Sequence, residues 1–385
     1  MKEKINIFTN IASHYRSSLW KILLKEENNE FHFFYGENKK SGIEIIDFSN
    51  QDFKQYKNQL HEIKNYWYKN KVLWWQKGVV TRCLKDDFDI VIFLGDMYCI
   101  STWIGAIICR LQKKRVIFWG HGLYGSESNL KLMLRKLFYK LADKHLLYER
   151  RAKRLMTKQG FNSDNLYVVF NSLDYDTQKI LRVKLSKLSK KDIFRFFRDP
   201  NLPVIVFIGR LTSQKKLEIL IRAIIAINNN NVRANLLIIG DGSERKNMEN
   251  LGIKGLNNGW LHFTGALYDE EEIGKYLYHS DLCVSPGNVG LTAIHSLSYG
   301  TPVCSHNNFN NQGPEVEAII EGFNGFLFKE NDVSDLISKI ENWFENNYER
   351  EKIRSQCYQI IDKYYNPHYQ LKVFNQLIKD EIPEI

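Results

Sequence analysis

The stretch from Val204 to Val303 decides the fold. Its apolar runs of strand length mostly end at a glycine or a proline, in the blocks VIVFIGRLTSQKK (204–216), NLLIIGDGSER (235–245), LHFTGAL (261–267) and LCVSPGNVGLTAIHSLSYGTPV (282–303). Strands that alternate with helices predict a parallel sheet covered by helices. The loops after such strands gather at the carboxyl edge, where open α/β sheets bind ligands. A ligand site is therefore expected in this half of the chain.

The first half of the chain shows the same alternation. Apolar runs predict strands at 4–9, 31–35, 89–94, 115–119 and 166–170, and helical patterns lie at 16–26, 64–85, 101–112 and 130–143. A chain of 385 residues is too long for one ordinary core. We therefore predict an α/β protein with two doubly wound, Rossmann-like domains that face each other across a cleft. The predicted parts are an N-terminal domain (1–174), a C-terminal domain (175–363) and a terminal helix (364–385) that packs back on the N-terminal domain.

Composition narrows the class of protein. The chain is 44% hydrophobic and 25% charged, which is typical of a folded soluble protein. None of its six cysteines forms a CxxC pair or has a histidine at metal-ligand spacing, so we expect no metal site and a reducing, cytoplasmic environment. The first residues lack the apolar core of a signal peptide, and Gly95-Asp96 interrupts the apolar stretch 88–110. We therefore expect a chain that does not cross a membrane.

The net charge of +10 predicts an anionic partner. Nucleic acid, anionic lipid and a phosphorylated ligand all satisfy it, but no base-reading motif accompanies the charge, so we expect no nucleic acid. The segment KNYWYKNKVLWWQK (64–77) interleaves cations with aromatic residues, and 130–158 adds further cations. A helix of this kind could lie on an anionic membrane surface. A core-facing helix with a solvated basic face explains the same pattern equally well.

Two strand ends in the second half carry the chemistry of an anion site. Arg210 follows one strand and Lys215 stands near the next helix start. A forked guanidinium and a compact ammonium suit a diphosphate, although a solvated basic loop explains this turn equally well when it is taken alone. In the last block, Gly287 and Gly290 let the backbone approach a ligand closely, and the N–H groups at the following helix start would receive phosphate. Because both turns lie on one predicted edge, each strengthens the other.

Histidines and a carboxylate near the predicted edges complete the candidates. His121 stands between two glycines where the strand 115–119 ends, and it could hydrogen-bond a transferred sugar or stabilise charge in a transition state. His295 lies about a turn and a half into the helix of the last block, where a hydrogen-bonded interior histidine is the commoner outcome. Asp96 and the loop 14–16 share the edge of His121, and for them a cap or a surface loop is the better interpretation.

The ordered blocks FIGRLTSQKK, LLIIGDGSER, LHFTGAL, DLCVSPGNVGLTAIHSLSYGTPV and GFNGFLF resemble the retaining family-4 glycosyltransferases of the GT-B fold, and the resemblance is strongest over 204–328. The resemblance implies that Arg210 and Lys215 bind the donor diphosphate, and that a first-domain histidine, His121, contacts the transferred sugar. It also implies phosphate contacts from the backbone N–H groups of a glycine-bearing turn, which are those of Val289, Gly290, Leu291 and Thr292.

The chain departs from the family at two positions. The family carries two glutamates eight positions apart, one near the donor sugar and one on the ribose, whereas this chain has Gly287 and His295 there. His295 could still bond a ribose hydroxyl, Asn288 could serve the sugar, and Glu315 or Glu317 could supply a carboxylate.

The function that follows is transfer of a sugar from a nucleotide-sugar donor to a glycan or a lipid-diphosphate-linked acceptor. We expect retention, no metal and no cofactor, in surface-polysaccharide synthesis at the inner face of the membrane. The alternative is a catalytically degenerate protein that binds a nucleotide-sugar or a glycan without turnover.

Overall fold

The computed structural model describes residues 2–37, 43–68, 72–346 and 349–385. The chain divides into two compact units. Unit 1 comprises Met1–Asp174 and Asn366–Ile385, and unit 2 comprises Tyr175–Tyr365. The sequence analysis placed the corresponding limits at residues 174 and 363.

Strands and helices are numbered here in chain order. The strands are β1 (Glu3–Thr9), β2 (Asn29–Tyr35), β3 (Leu60–Glu62), β4 (Asn65–Tyr68), β5 (Leu73–Gln76), β6 (Ile90–Leu94), β7 (Arg115–Gly120), β8 (Lys144–Leu147), β9 (Leu166–Val168), β10 (Val204–Ile208), β11 (Asn235–Ile239), β12 (Leu261–Gly265), β13 (Leu282–Ser285), β14 (Val303–His306) and β15 (Gly325–Phe328). The helices are α1 (Ser17–Lys25), α2 (Gln51–Lys54), α3 (Val79–Lys85), α4 (Ile100–Leu111), α5 (Asn129–Tyr139), α6 (Arg150–Lys158), α7 (Tyr175–Leu185), α8 (Lys190–Ile193), α9 (Leu217–Ile227), α10 (Arg245–Leu251), α11 (Ile253–Asn258), α12 (Glu270–His279), α13 (Thr292–Ser298), α14 (Val333–Glu345), α15 (Arg350–Tyr364) and α16 (Pro367–Ile378).

Unit 1 is built on a seven-stranded sheet in the order β3-β2-β1-β6-β7-β8-β9, and every pair in it is parallel. Helices cover both faces, and the central strand β6, with the sequence IVIFL, is accordingly apolar throughout. Alternate residues enter two different cores: Ile5 and Ile7 face one, which also contains residues of α16, and Phe8 faces the other. The ring of Phe374 in α16 lies 5.4 Å from that of Trp119 in β7.

The helix predicted over 64–85 is wrong in its first part. Residues 65–76 contain the antiparallel strands β4 and β5, and the helix α3 begins only at Val79. Exposure alternates along β5, since Trp74 and Gln76 are buried while their neighbours are partly exposed. Period-two burial and aromatic content favour a strand, and the ring of Trp67 lies 5.2 Å from its cross-strand partner Trp74. The basic residues Lys69 and Lys71, with Asn70, lie outside the described residues.

Unit 2 is built on a six-stranded parallel sheet in the order β12-β11-β10-β13-β14-β15. Strand β10 pairs with β11 on one side and with β13 on the other, so the order reverses beside β10. At such a reversal the connections leave toward opposite faces, and a crevice forms outside the carboxyl ends of the strands. The loops after β10 and β13 are therefore neighbours at the edge where the sequence predicted the ligand site. The predicted fold class, two Rossmann-like α/β domains, is confirmed.

Candidate functional site

The loop after β10 and the turn after β13 pack directly on each other in unit 2. Gly287 makes this approach possible, because a Cβ added to it would lie 2.2 Å from the carbonyl oxygen of Gln214 and 2.8 Å from Cα of Lys215. Any larger residue at 287 would push the two loops apart. A glutamate side chain would therefore not fit at position 287, because the backbone of the other loop occupies the space it would need.

Lys215 joins the two loops through its side chain. Its Nζ donates a hydrogen bond of 2.6 Å to the carbonyl oxygen of Asn288. Burial lowers the pKa of Lys215, the carboxylate of Glu315 acts in the opposite direction, and the cation of Arg210 lowers it further. Lys215 is half-buried and Arg210 is exposed. The structure thus brings Arg210, Lys215 and the 287–292 turn to one edge, as the sequence predicted.

The N–H groups of the 287–292 turn are only partly available. The N–H of Val289 donates 2.9 Å to Oε1 of Gln312, so the predicted phosphate role of this group is not available while that bond is made. The N–H groups of Gly290, Leu291 and Thr292 have no hydrogen-bond partner within the part of the chain that the structure describes. The hydroxyl of Thr292 donates 3.0 Å to the carbonyl of Ile208 at the end of β10. This bond ties the start of α13 to the neighbouring strand.

His295 meets a carboxylate that sequence reasoning missed. Its Nε2 lies 3.1 Å from Oε1 of Glu270, the first residue of α12. The same oxygen accepts hydrogen bonds from the hydroxyl of Tyr299 at 2.7 Å and from Nε2 of Gln178 at 2.9 Å. Burial alone would raise the pKa of Glu270. The charge of His295, and the hydrogen bonds from His295, Tyr299 and Gln178, lower this pKa to about 2. In this structure His295 therefore faces a fixed anion.

Replacing His295 with glutamate, the residue typical of the family, should destabilise the protein at neutral pH. Two carboxylates would then stand within hydrogen-bond distance of each other, and like charges there oppose ionisation. We expect a loss of about 1–3 kcal/mol of unfolding free energy at pH 7, measured by chemical denaturation. Because Glu270 has its pKa lowered to about 2, its contribution is present above the ordinary value of 4.5 and is lost as pH falls toward 2.

The difference between His295→Glu and wild type should therefore shrink as the pH is lowered toward 4, where added carboxylates take up protons. His295→Gln is the matched control, since its amide can still donate to Glu270 without adding charge. Equal stability of His295→Glu and wild type at pH 7 would contradict the pairing.

A separate cluster forms at the carboxyl edge of unit 1, where the loop after β7 places His121. The carboxylate of Glu127 accepts hydrogen bonds of 2.8 and 2.7 Å from the N–H groups of Tyr124 and Gly125. Nη1 of the buried Arg135 donates 3.2 Å to the carbonyl of Gly122. These bonds fix the loop that directly follows His121.

The surroundings of His121 keep it neutral. Its ring centroid lies 4.9 Å from that of Tyr148. Burial, with the cations of Arg16 and Arg135, lowers the pKa of His121 to about 4. Arg16 donates a hydrogen bond to the hydroxyl of Tyr148 and lies over the ring of Trp119, 4.6 Å from its centroid. At pH 7 His121 is therefore a neutral hydrogen-bonding group beside a cation.

Two other candidates of unit 1 differ in their environment. The carboxylate of Asp96 binds groups within unit 1. It accepts hydrogen bonds from Nε1 of Trp74 at 2.8 Å and from the backbone N–H of Tyr98 at 3.0 Å. A structural role, which the sequence analysis favoured, accounts for both oxygens. His14 is exposed, and its N–H donates 2.8 Å to the carbonyl of Glu44. Of the loop 14–16, Arg16 is the residue that joins the surroundings of His121.

Comparisons with known proteins agree with this fold. Residues 189–360 match the family of glycosyl transferases group 1. An uncharacterized glycosyltransferase of Methanocaldococcus jannaschii is 24% identical over 312 residues, which are 77% of this chain and 76% of that protein.

Two solved structures share the fold along almost the whole chain. The lipopolysaccharide outer core galactosyltransferase WaaB has a TM-score of 0.66 at 17% identity, over 98% of this chain and 99% of its own. The Anabaena protein HepE in complex with UDP-glucose has a TM-score of 0.62 at 17% identity, over 98% of this chain and 100% of its own. Together the matches show similarity to group 1 glycosyl transferases over residues 189–360, and the fold of WaaB and HepE along almost the whole chain.

Proposed function

We propose that this protein moves a sugar from a nucleotide-diphosphate donor, bound by unit 2, to a glycan or lipid-diphosphate-linked acceptor, bound by unit 1. The observation that carries the proposal is the convergence of Arg210, Lys215 and the 287–292 turn at the reversal of the unit 2 sheet. The matched family is one of glycosyl transferases, and HepE, which shares the fold, was solved with UDP-glucose. A nucleotide-sugar is therefore the ligand class that best fits this edge.

The proposed chemistry is stabilisation of the leaving nucleoside diphosphate without a metal. Arg210 provides a forked donor set for phosphate oxygens, and Lys215 provides a compact cation that its bond to Asn288 already orients. Fixed positive groups at the point where charge develops lower the barrier to transfer. We also propose that transfer retains the anomeric configuration, because the family that residues 204–328 resemble is a retaining one.

We place the acceptor at an anionic membrane surface, because unit 1 exposes two apolar stripes edged by cations. The exposed apolar residues are Ile100, Ile104, Ile107 and Leu111 in α4, and Leu130, Met133, Leu134 and Leu137 in α5. Their spacing puts each set on one helix face. The ring of Trp103 in α4 lies 5.0 Å from that of Phe138 in α5, so the two helices are neighbours.

Exposed cations, including Lys131 and Lys140, flank these stripes, an arrangement that suits anionic headgroups. No helix in the described part of the chain is both long and apolar enough to span a bilayer. The surface of α4 and α5 replaces the 64–77 segment as the main support for this contact, since residues 65–68 and 73–76 of that segment are strands. A peripheral position at the inner face of the membrane follows as part of the proposal.

Membrane binding is expected to depend on the α5 stripe. The triple variant Leu130→Ser, Met133→Ser, Leu137→Ser should lose at least about tenfold in its partition onto vesicles that contain anionic phosphatidylglycerol, because it removes three exposed apolar contacts. Co-sedimentation measures the partition. The control is Ile180→Ser with Val183→Ser in unit 2, which removes exposed apolar side chains elsewhere. Equal partition of the triple variant and wild type would contradict the surface.

The test of the function itself is a panel of nucleotide-sugars incubated with a lipid-diphosphate-linked acceptor. We expect one or a few donors to release free nucleoside diphosphate, with release that requires the acceptor. The rival function is a binding protein without turnover, which the missing glutamates at 287 and 295 favour. It would show a raised melting temperature with nucleoside diphosphate and no release from any donor.

A further inference from the structure

The unit 2 site lacks both glutamates that the family resemblance assigns to it, one near the donor sugar and one on the ribose. Gly287 has no side chain, and the space for one is taken by the carbonyl of Gln214, 2.2 Å from where its Cβ would lie. His295 is engaged with Glu270. A donor sugar presents several hydroxyl donors, and an ionised carboxylate is the strongest acceptor a protein offers them. A carboxylate that binds the donor sugar must therefore come from another position of the chain.

Glu315 lies at this edge. It belongs to the short 3-10 turn Pro314–Ala318 after β14, and it is buried, with 5% of its surface exposed. Its Oε2 lies 2.9 Å from the point where a Cβ on Gly313 would be, and Oδ1 of Asn288 and Cα of Gly290 lie 3.2 and 3.4 Å from the same point. The carboxylate thus stands against the turn whose own glutamate is missing.

The segment before Glu315 is fastened to that turn by side-chain bonds. Oε1 of Gln312 accepts from the N–H of Val289 at 2.9 Å, while its Nε2 donates to Oγ of Ser305 at 2.8 Å and to the carbonyl of His306 at 3.0 Å. Gln312 therefore bridges the end of β14 and the turn after β13. This bridge explains why Val289 is unavailable to phosphate and why residue 315 is brought to the turn.

Lys215 makes a buried carboxylate at this place tolerable. Glu315 acts electrostatically on Lys215, opposing the effect of burial on the pKa of the lysine. A buried anion needs such a cation nearby, or it would take up a proton. With Lys215 oriented on the carbonyl of Asn288, the edge holds a lysine and a glutamate that interact electrostatically. That pair matches a nucleotide-sugar, whose diphosphate is anionic and whose sugar donates hydrogen bonds.

We propose that Glu315 supplies the carboxylate of the donor-sugar end, in place of the glutamate that position 287 cannot carry. The proposal rests on the proposed glycosyl transfer. Glu315 accepts hydrogen bonds from hydroxyls of the transferred sugar and fixes the ring relative to the diphosphate that Arg210 and Lys215 hold. Its charge also faces the sugar whose anomeric carbon becomes positive during transfer, a distribution that a nearby anion stabilises. The ligand class is a nucleotide-sugar with free ring hydroxyls.

The experiment compares Glu315→Gln with wild type in two assays, using the full chain. Transfer is measured as kcat/KM for the nucleotide-sugar that wild type turns over, and binding is measured as the Kd of the matching nucleoside diphosphate, which lacks the sugar. We expect kcat/KM to fall at least about tenfold, the size of one charge-assisted contact of 1.4 kcal/mol, with Kd unchanged within about twofold. The matched control is Glu321→Gln, a half-exposed carboxylate that accepts from the N–H of Leu327 at 2.7 Å. It should leave both quantities unchanged.

The outcomes separate the two proposals. Unchanged transfer by Glu315→Gln, in a preparation where wild type is active, overturns the role of Glu315 and leaves the function standing. An equal loss of transfer and of nucleoside diphosphate affinity also overturns it, because a merely structural residue would damage the whole site. Should Glu315→Gln melt early, Glu315→Asp keeps the charge on a shorter arm. It should retain the fold and diphosphate affinity while transfer falls, and wild-type transfer would overturn the proposal. Release of no diphosphate by wild type from any donor refutes the function and this role together.

Discussion

Replacing Lys215 with alanine should lower sugar transfer at least about tenfold. The ammonium of Lys215 is half-buried, and its position is fixed by the bond of 2.6 Å to the carbonyl of Asn288. Losing a charge-assisted contact to the leaving diphosphate removes about 1.4 kcal/mol or more of transition-state stabilisation. If Arg210 contributes a similar amount, the double variant Arg210→Ala, Lys215→Ala should lose about a hundredfold. Initial rates at limiting and saturating donor measure both effects.

Lys216 is the matched control for this experiment. It is the next residue and carries the same charge, but its Nζ binds Oε1 of Glu330 at 2.8 Å and Oδ1 of Asn331 at 2.7 Å. Lys216→Ala should therefore change transfer by less than about twofold. Wild-type kinetics for Lys215→Ala at both donor concentrations would remove Lys215 from the site. A loss of transfer that is as large for Lys216→Ala would show that net charge, and not position, matters.

The predicted fold was right where strands are buried on both faces. The apolar run that opens the block 204–216 is β10 (Val204–Ile208), and the run predicted at 115–119 is β7 with one more residue. Such strands are read from continuous apolar residues, because helices cover both sides of the sheet. The strand β8 (Lys144–Leu147) escaped prediction, since it is short and begins with Lys144 and His145. Residue type alone does not show that His145 is 2% exposed.

The hairpin of β4 and β5 was missed for a different reason. Its aromatic residues recur at spacings that suit a helix face as well as a strand, and the decisive fact is the pairing of Trp67 with Trp74. That pairing depends on contacts with the rest of unit 1, in which Trp74 and Gln76 are buried. Tertiary context therefore decided the structure here, against a local pattern that permitted both.

The candidate site divides in the same way. Arg210, Lys215 and the 287–292 turn could be predicted, because parallel strands bring the loops at their carboxyl ends to one edge. Glu270 and Gln178, which bond at the place of His295, could not, because they come from α12 and α7 and no local pattern marks them. Glu315 was one of two carboxylates considered from sequence, and only the folded chain shows that it shares the surroundings of Gly313 with Asn288 and Gly290. The spacing of strands and glycines in the sequence predicts which loops share an edge of the sheet. It does not predict side-chain contacts between segments that are distant in sequence.

We propose that His121 contacts the transferred sugar, as the family resemblance implies. Replacing it with alanine should then lower kcat/KM about tenfold to a hundredfold, because one positioned hydrogen-bonding group is lost. The pKa of His121 is lowered to about 4 by burial and by the cations of Arg16 and Arg135. A histidine with a lowered pKa is neutral above that value and gains a proton only as pH falls through it. Wild-type kcat/KM should therefore stay level from pH 8 to about 5, and any acid limb that His121 causes should lie near pH 4.

A substitution of Arg16 tests whether His121 causes the acid limb, because it changes the environment of the histidine and leaves the histidine itself in place. Arg16→Gln removes a cation that disfavours protonation, so the acid limb should move to higher pH, toward the ordinary value of about 6.5. The control is His14→Ala, which alters an exposed neighbour in sequence and should leave the profile unchanged. A limb near pH 6.5 in wild type, or one that Arg16→Gln does not move, would mean that another group controls the rate. Burial and the cations of Arg16 and Arg135 keep His121 neutral at pH 7. The proposed role therefore requires that the neutral imidazole supports transfer.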